Sequence, residues 1–317
     1  MNKPKLLVLG TQTERMAEKL NQVFDVISTS GADQETMIVQ HGSEIEYVLS
    51  RFHGNLKRVD MERMPKLKVI SNYGVGYDSI DTRAAVELGI IVTHTPDVLN
   101  DEVSNTAIML LLACARNLIR DESYLRAGRW PKDGSPPLST SVSHKVVGIV
   151  GFGRIGQTIA EKLGIFGTDI VYHARNKKDV PYRYYKDLTQ MAADADFLIV
   201  ITPGGASTRH LINTNVIEAL GPQGCLINIS RGSVVDEDAL ISALKTGRLG
   251  KAGLDVFENE PHVPDALMEM DNVVLLPHVG SATVETRQAM GDLTVENLIA
   301  FYRTGKTVTP VPECRDM

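Results

Sequence analysis

Three stretches in the second half of the chain carry side chains suited to acid–base and charge work. Asn228-Ile-Ser-Arg231-Gly follows the apolar run Cys225–Asn228. Leu254-Asp255-Val-Phe-Glu258-Asn-Glu260-Pro261 follows a second run, and Leu276-Pro277-His278-Val-Gly280-Ser281 a third. An arginine fork can bind a carboxylate and polarise a neighbouring carbonyl. A histidine with a carboxylate partner can donate a proton near neutral pH. Each stretch alone has an ordinary reading: Arg231 as a surface ion pair, the acidic run as a solvated turn, His278 as a core or capping residue. Together they hold the residue types that hydride transfer to a carbonyl needs.

A carrier for that hydride is indicated by Val146–Ala160, VVGIVGFGRIGQTIA. It reads as a buried strand, a glycine turn and the start of a helix. The turn holds Gly151, Gly153 and Gly156, with Arg154 and Ile155 between the last two. Gly151 permits the tight turn, Gly153 admits a pyrophosphate, and Gly156 lets helix and strand pack closely. The helix N-terminus adds free N–H groups and a positive dipole end. With 26 glycines in 317 residues such spacing arises by chance, so the strand before it and the helix after it give the motif its meaning. NAD-binding folds place an acid at the end of the second strand, about 20 residues on, for the ribose 2′-OH. Here that strand ends Tyr172-His173-Ala174-Arg175-Asn176-Lys177-Lys178, without a carboxylate. Asp169 is at its wrong end. Arg175 suits a 2′-phosphate, although an exposed basic loop reads the same way. NADP(H) is the expected cofactor, with NAD possible.

The elements that must position these groups alternate along the whole chain. Strands are expected at Lys5–Leu9, Val26–Thr29, Tyr47–Ser50, Leu67–Ser71 and Ile90–His94. Helices are expected at Met16–Val23, around Met61 and at Thr82–Leu88, with Gly31 and other glycines as punctuation. From Val146 further strands are expected at Ile170–His173, Phe197–Ile201, Cys225–Asn228, Gly253–Asp255 and Val273–Leu276. Such alternation implies α/β architecture, with two doubly wound parallel sheets covered on both faces. Between the halves, Asp101–Ile119 reads as one long helix, apolar on most faces, and residues 128–143 as irregular. A final amphipathic helix spans Val284–Tyr302.

Length and composition narrow the function classes. A chain of 317 residues suggests about two domains. A net charge of −6 gives no electrostatic footprint for nucleic acid or anionic membrane. Cys114, Cys225 and Cys314 are too few and scattered for a disulfide framework or a metal site. The N-terminal apolar run is too short for a signal peptide or membrane span, so a cytoplasmic location is the default.

Six stretches in order and spacing resemble the D-isomer-specific 2-hydroxyacid dehydrogenases: NYGVGYDSID, VTHTPDVLNDEVSNTAIMLLLA, VGIVGFGRIG, NISRGSVVDEDAL, GLDVFENEP and LPHVGSAT. Trp130 and the basic second-strand end point to the glyoxylate/hydroxypyruvate and hydroxyphenylpyruvate reductase branch. The resemblance implies a Rossmann cofactor domain, 99–287, and a flavodoxin-like substrate domain, 1–98, completed by a returning C-terminal helix, 288–317. It implies that Arg231 holds the substrate carboxylate and keto oxygen. His278 would be the acid, with Glu260 keeping it protonated. Backbone N–H groups of Val75 and Gly76 would cradle the carboxylate from the other domain, across a cleft. Asp255, Gly280 and the backbone at Ile229 would lie by the nicotinamide, Thr202 and Pro203 on the adenosine side, and His173 with Arg175 at the ribose. Tyr73, the Arg51–Phe52 region and Trp130 would shape the pocket. A small 2-ketoacid substrate, a D-2-hydroxyacid product and a homodimer follow. Two departures stand out: Ser104-Asn105 replaces the usual Ala-Asp pair, and Thr202–Thr208 lacks the usual Glu before Thr. An NAD-linked dehydrogenase working oxidatively and a nucleotide-sensing corepressor are the alternatives.

Overall fold

The computed structural model describes residues 3–29, 33–51 and 54–317; Gly31 and Phe52, named above, lie outside the described residues. The chain divides into two compact units, Met1–Leu99 with Thr283–Met317, and Asn100–Ala282.

The first unit holds β1 (Lys5–Leu9), α1 (Glu14–Val23), β2 (Asp25–Ser28), α2 (Gln34–His41), β3 (Ile45–Arg51), α3 (Arg58–Glu62), β4 (Val69–Tyr73), α4 (Thr82–Glu87) and β5 (Ile91–Thr93). All strand pairs are parallel, in the order β2-β1-β3-β4-β5, which is the flavodoxin-like order. The expected strands are present, shifted at most by two residues at an end. Helix α2 is an addition. Its N-cap Asp33 accepts the Thr36 N–H at 2.8 Å, a local signal that hydrophobic periodicity does not carry.

The second unit opens with α5 (Asn100–Ala115), α6 (Leu118–Arg126) and α7 (Trp130–Asp133). The single helix expected over Asp101–Ile119 is therefore two. Asn117 takes a left-handed φ of 53°, which an α-helix cannot contain, and the axis turns by 60° there. The stretch expected to be irregular contains the one-turn α7. Next come β6 (Val146–Val150), α8 (Arg154–Leu163), β7 (Asp169–His173), β8 (Arg183–Tyr185), α9 (Leu188–Asp194), β9 (Phe197–Val200), α10 (Thr214–Leu220), β10 (Cys225–Asn228), α11 (Glu237–Lys245), β11 (Lys251–Leu254), α12 (Asp265–Met268) and β12 (Val273–Leu275). These seven strands run parallel in the order β12-β11-β10-β9-β6-β7-β8. That is the Rossmann order with one further strand. Its reversal point lies between β6 and β9, where open α/β sheets bind ligands. Edge strand β8 went unexpected, since three residues are too few to show a period.

The last helix, α13 (Val284–Thr304), returns to the first unit. Ser71 on β4 donates to the Thr294 carbonyl at 2.9 Å, and Gly291 brings α13 onto Met16 of α1. No single helix among the described residues is long and apolar enough to cross a membrane. Cys114, Cys225 and Cys314 are buried free thiols.

Candidate active site

The glycine turn lies at the C-terminal end of β6. Gly151 has φ +97°, and a Cβ there would lie 2.7 Å from the Ile201 carbonyl oxygen. A Cβ on Gly156 would lie 2.3 Å from the Gly151 oxygen. Only glycine fits either place. At Gly153 a Cβ would meet nothing within 4 Å, so that space is open to an incoming group. Gly153 is the N-cap of α8 and makes no side-chain cap, so the positive end of the helix, at Arg154 and Ile155, faces this space as a setting suited to an anion. These features fit a dinucleotide pyrophosphate.

The turn after β7 is held from several sides. Phe152, inside the glycine turn, stacks on Tyr172 with ring centroids 4.3 Å apart. The Tyr172 hydroxyl accepts the Lys178 N–H at 2.8 Å. His173 Nδ1 lies 3.1 Å from the Tyr185 carbonyl oxygen. Arg175 sits on this pinned turn and is exposed. Thr202 and Pro203 follow β9, and the Thr208 hydroxyl donates to the Pro203 carbonyl at 2.7 Å, closing that loop on itself. The Ile229 N–H is committed to the Val200 oxygen at 3.2 Å, so its carbonyl is the group left for a carboxamide.

Arg231, Glu260 and His278 stand on loops that follow the adjacent strands β10, β11 and β12. Asn228 shapes the first loop: its Oδ1 accepts the Ser230 N–H and hydroxyl, and its Nδ2 donates to the Arg231 carbonyl at 3.0 Å. Gly232 brings this loop against the second, since a Cβ there would lie 1.9 Å from the Phe257 carbonyl carbon. Glu260 Oε1 accepts the Phe257 N–H at 3.1 Å, and its Oε2 lies 2.7 Å from His278 Nδ1. The Glu260 bond thereby leaves Nε2 as the other ring nitrogen available for chemistry.

Asp255 builds the third loop. It is 1 % exposed. Its Oδ1 accepts the Val279 N–H at 2.7 Å and its Oδ2 the Gly280 N–H at 2.8 Å. Its carbonyl accepts the His278 N–H at 2.9 Å. His278 is held at φ 53°, an uncommon left-handed conformation of the kind that collects at functional sites.

The charges follow from this packing. Burial pushes the Glu260 carboxyl up, but the His278 hydrogen bond and charge, the Phe257 N–H and the Arg231 charge outweigh it. Glu260 therefore sits below the ordinary carboxylate value, as an anion. Burial dominates at Asp255 and raises it, against the opposing pull of the Val279 and Gly280 N–H groups and the His278 charge.

Val75 and Gly76 belong to the first unit, in the loop after β4. Tyr73 is buried there, its hydroxyl on the Arg287 carbonyl at 2.8 Å and its ring 4.5 Å beneath the Arg51 guanidinium. It braces the end of β4. Trp130 is 59 % exposed on α7.

Three contributors went unread in the sequence. Lys162 on α8 donates to the Ser104 hydroxyl at 2.8 Å, the Asn105 Oδ1 at 2.7 Å and the Asp101 carbonyl at 3.0 Å. The unusual Ser104-Asn105 pair thus serves as the acceptor set that ties α8 to α5. Thr106 donates to the Gly280 carbonyl at 3.1 Å, linking α5 to the His278 loop. Glu237 accepts the Glu258 N–H at 3.2 Å. Contacts between residues this distant in sequence leave no local pattern.

The fold and this site define a dinucleotide-dependent oxidoreductase built on a Rossmann sheet. The family model described as D-isomer specific 2-hydroxyacid dehydrogenase, NAD binding domain, matches residues 108–280. The chain is 42 % identical over 308 residues to a glyoxylate/hydroxypyruvate reductase A of Arabidopsis thaliana, covering 96 % of this chain and 98 % of that one. It is 43 % identical over 309 residues to a hydroxyphenylpyruvate reductase of Plectranthus scutellarioides, with the same coverage. The crystal structure of an NADPH-dependent glyoxylate/hydroxypyruvate reductase of Sinorhizobium meliloti, in complex with NADP and malonate, matches with a TM-score of 0.91 and 45 % identity, over 99 % of this chain and 98 % of that one. The chain belongs to the D-isomer-specific 2-hydroxyacid dehydrogenase family.

Gly232→Ala tests the packing of the first two loops. The added methyl has no room against Phe257, and overpacking of this kind costs about 1–3 kcal/mol. The variant should unfold at lower denaturant and lose most turnover. Parent-like values for both would show that the loops are not held together at this point.

Proposed function

We propose that the protein is an NADPH-dependent reductase of small 2-ketoacids, of the glyoxylate and hydroxypyruvate type, giving D-2-hydroxyacids. The observation that carries this reading is the His278–Glu260 contact at 2.7 Å, beside the charge of Arg231, in the unit that holds the glycine turn. The names of the relatives support the substrate class, and the S. meliloti complex supports the phosphorylated cofactor.

In this reading, when bound, the reduced nicotinamide supplies the hydride. The glycine turn with Arg154 and Ile155 holds the pyrophosphate, Thr202 and Pro203 the adenosine side, and His173 and Arg175 the ribose phosphate. Asp255, Gly280 and the Ile229 carbonyl border the nicotinamide. Arg231 grips the substrate carboxylate and polarises its keto oxygen, and the N–H groups of Val75 and Gly76 take the carboxylate as well. As the carbonyl carbon is reduced, His278 Nε2 gives its proton to the oxygen, leaving a neutral imidazole and a hydroxyl group. Glu260 keeps Nδ1 protonated and fixes the ring.

A homodimer accompanies the reading. Met109, Leu118, Ile119, Leu125, Trp130 and Leu138 of α5–α7 and the following loop are each about half exposed or more, an apolar surface of the kind that marks an interface. Sedimentation equilibrium should return the mass of two chains; the mass of one would remove the dimer.

Kinetics of two variants test the catalytic roles. Arg231→Ala should lose roughly a hundredfold or more in kcat/KM, the scale of a lost transition-state donor. Glu260→Gln removes the anion that favours imidazolium. Reduction needs the protonated ring, so its rate should fall off at lower pH than in the parent. An unchanged pH–rate profile would contradict the pairing.

Cofactor choice is read from Arg175. A charge-assisted contact to the 2′-phosphate contributes about 1.5–3 kcal/mol, or roughly 10- to 150-fold in affinity. Arg175→Ala should raise the KM for NADPH by that order and leave NADH little changed. His173→Asp should weaken NADPH further by repulsion. A parent that prefers NADH, or an equal effect on both cofactors, would overturn the NADPH assignment and leave the dehydrogenase reading intact.

A further inference from the structure

Beyond Gly305 the chain turns back across the first unit. Asn297 of α13 catches it: Oδ1 accepts the Val308 N–H at 3.0 Å and the Thr309 N–H at 2.8 Å, and Nδ2 donates to the Thr309 hydroxyl at 2.8 Å. Thr309 then meets His94 twice. Its carbonyl accepts the His94 N–H at 3.2 Å, and its hydroxyl donates to the His94 carbonyl at 2.6 Å. The tail continues beside β5, where Pro310 bridges Thr93 and the Val311 N–H reaches the Val92 oxygen at 2.9 Å.

His94 is 8 % exposed. Its Nδ1 lies 3.0 Å from the Val75 carbonyl oxygen. The carbonyl before it, of Gly74, accepts the Thr95 N–H at 2.9 Å and Asn72 Nδ2 at 3.1 Å. In a trans peptide the N–H points opposite to the C=O it is bonded through. Drawing the Gly74 oxygen toward Asn72 and Thr95 therefore turns the Val75 N–H away from them. Drawing the Val75 oxygen toward His94 turns the Gly76 N–H away from His94 in the same manner. A second strut reaches this segment from the tail. The Tyr77 ring stands edge-on to His94, with centroids 5.4 Å apart. Its hydroxyl donates to Glu313 Oε2 at 3.2 Å. Burial, with the Glu313 charge, pushes the Tyr77 phenol up to about 12, so it stays a donor.

We infer that His94 is a positioning residue for substrate binding: held by Thr309 of the C-terminal tail, it aims the Gly76 N–H at the ketoacid carboxylate. This rests on the proposed role of Val75 and Gly76. A contact to the carboxylate is present in substrate and transition state alike, so its loss raises KM and leaves kcat unchanged.

The experiment is steady-state reduction of glyoxylate with saturating NADPH, with NADPH affinity measured separately. His94→Leu should raise the glyoxylate KM by about tenfold, the scale of one hydrogen bond to a charged group, with kcat and NADPH affinity kept. His94→Asn retains a donor near the Nδ1 position and should restore most of the loss. Thr309→Val, of matching shape, reads the same contact from the tail if His94→Leu does not fold, and should raise KM in the same sense. Val75→Pro removes the other N–H of the pair. A raised KM in Val75→Pro with parent-like KM in His94→Leu or Thr309→Val overturns the role of His94 alone. No effect in Val75→Pro overturns the carboxylate cradle and this inference with it. Equal loss in His94→Asn and His94→Leu shows that the donor is immaterial, and also overturns it.

Discussion

A carboxylate withdrawn from water must be met by donors or positive charge, and Asp255 is met by two successive backbone N–H groups. That demand shapes the loop after β12. To present the Val279 and Gly280 N–H groups to one carboxylate, the chain must turn sharply, and His278 takes its left-handed conformation at the turn. Gly280 approaches so closely that a Cβ would lie 2.9 Å from Asp255 Oδ2. The imidazole is thus aimed by its backbone before Glu260 touches it. Glu260 then adds the anionic partner, and the charge of Arg231 helps keep it ionised. Three side chains from three loops share one electrostatic arrangement, with the buried Asp255 as its foundation.

The parallel order of β10, β11 and β12 makes this possible, because adjacent parallel strands end at the same edge of the sheet. Gly232 fits the first two loops together where any side chain would collide with Phe257. On the other side of the reversal point, the Phe152–Tyr172 stack joins the glycine turn to the turn that carries Arg175. A displacement of either turn would therefore be felt by the other. Lys162 and Thr106 connect the two halves of the edge through α5. The second unit is braced on the face where chemistry is proposed, by polar contacts that cross from element to element.

Much of this was legible in the chain. Strands such as Lys5–Leu9 and Val146–Val150 are short apolar runs, as strands buried on both faces must be, and both sheets follow from them. The glycine turn and the Arg231, Glu260 and His278 stretches stand out by residue type and order. What escaped depends on single backbone angles or distant partners. Asn117 divides α5 from α6 through its φ, in a stretch whose composition is helical throughout. β8 is too short to show a period, and α2 is announced only by its cap. The acceptor set around Lys162 joins positions far apart in the chain. The bracing work of Asp255 was also hidden, since an acid in a turn looks the same whether it faces solvent or the neighbouring backbone.

The interruption of the first unit bears on how the protein is made. A ribosome delivers Met1–Leu99 first, then all of Asn100–Ala282, and only afterwards the segment from Thr283 onward. The Ser71 hydroxyl waits for Thr294, and His94 for Thr309, through the synthesis of the whole intervening unit. The second unit, by contrast, is one unbroken stretch with its own apolar core. It has all its strands and helices available before the first unit has its last helix. The first unit is thus completed by a later segment than the second, and until α13 has been made the face of β4 that it covers has no partner from its own chain.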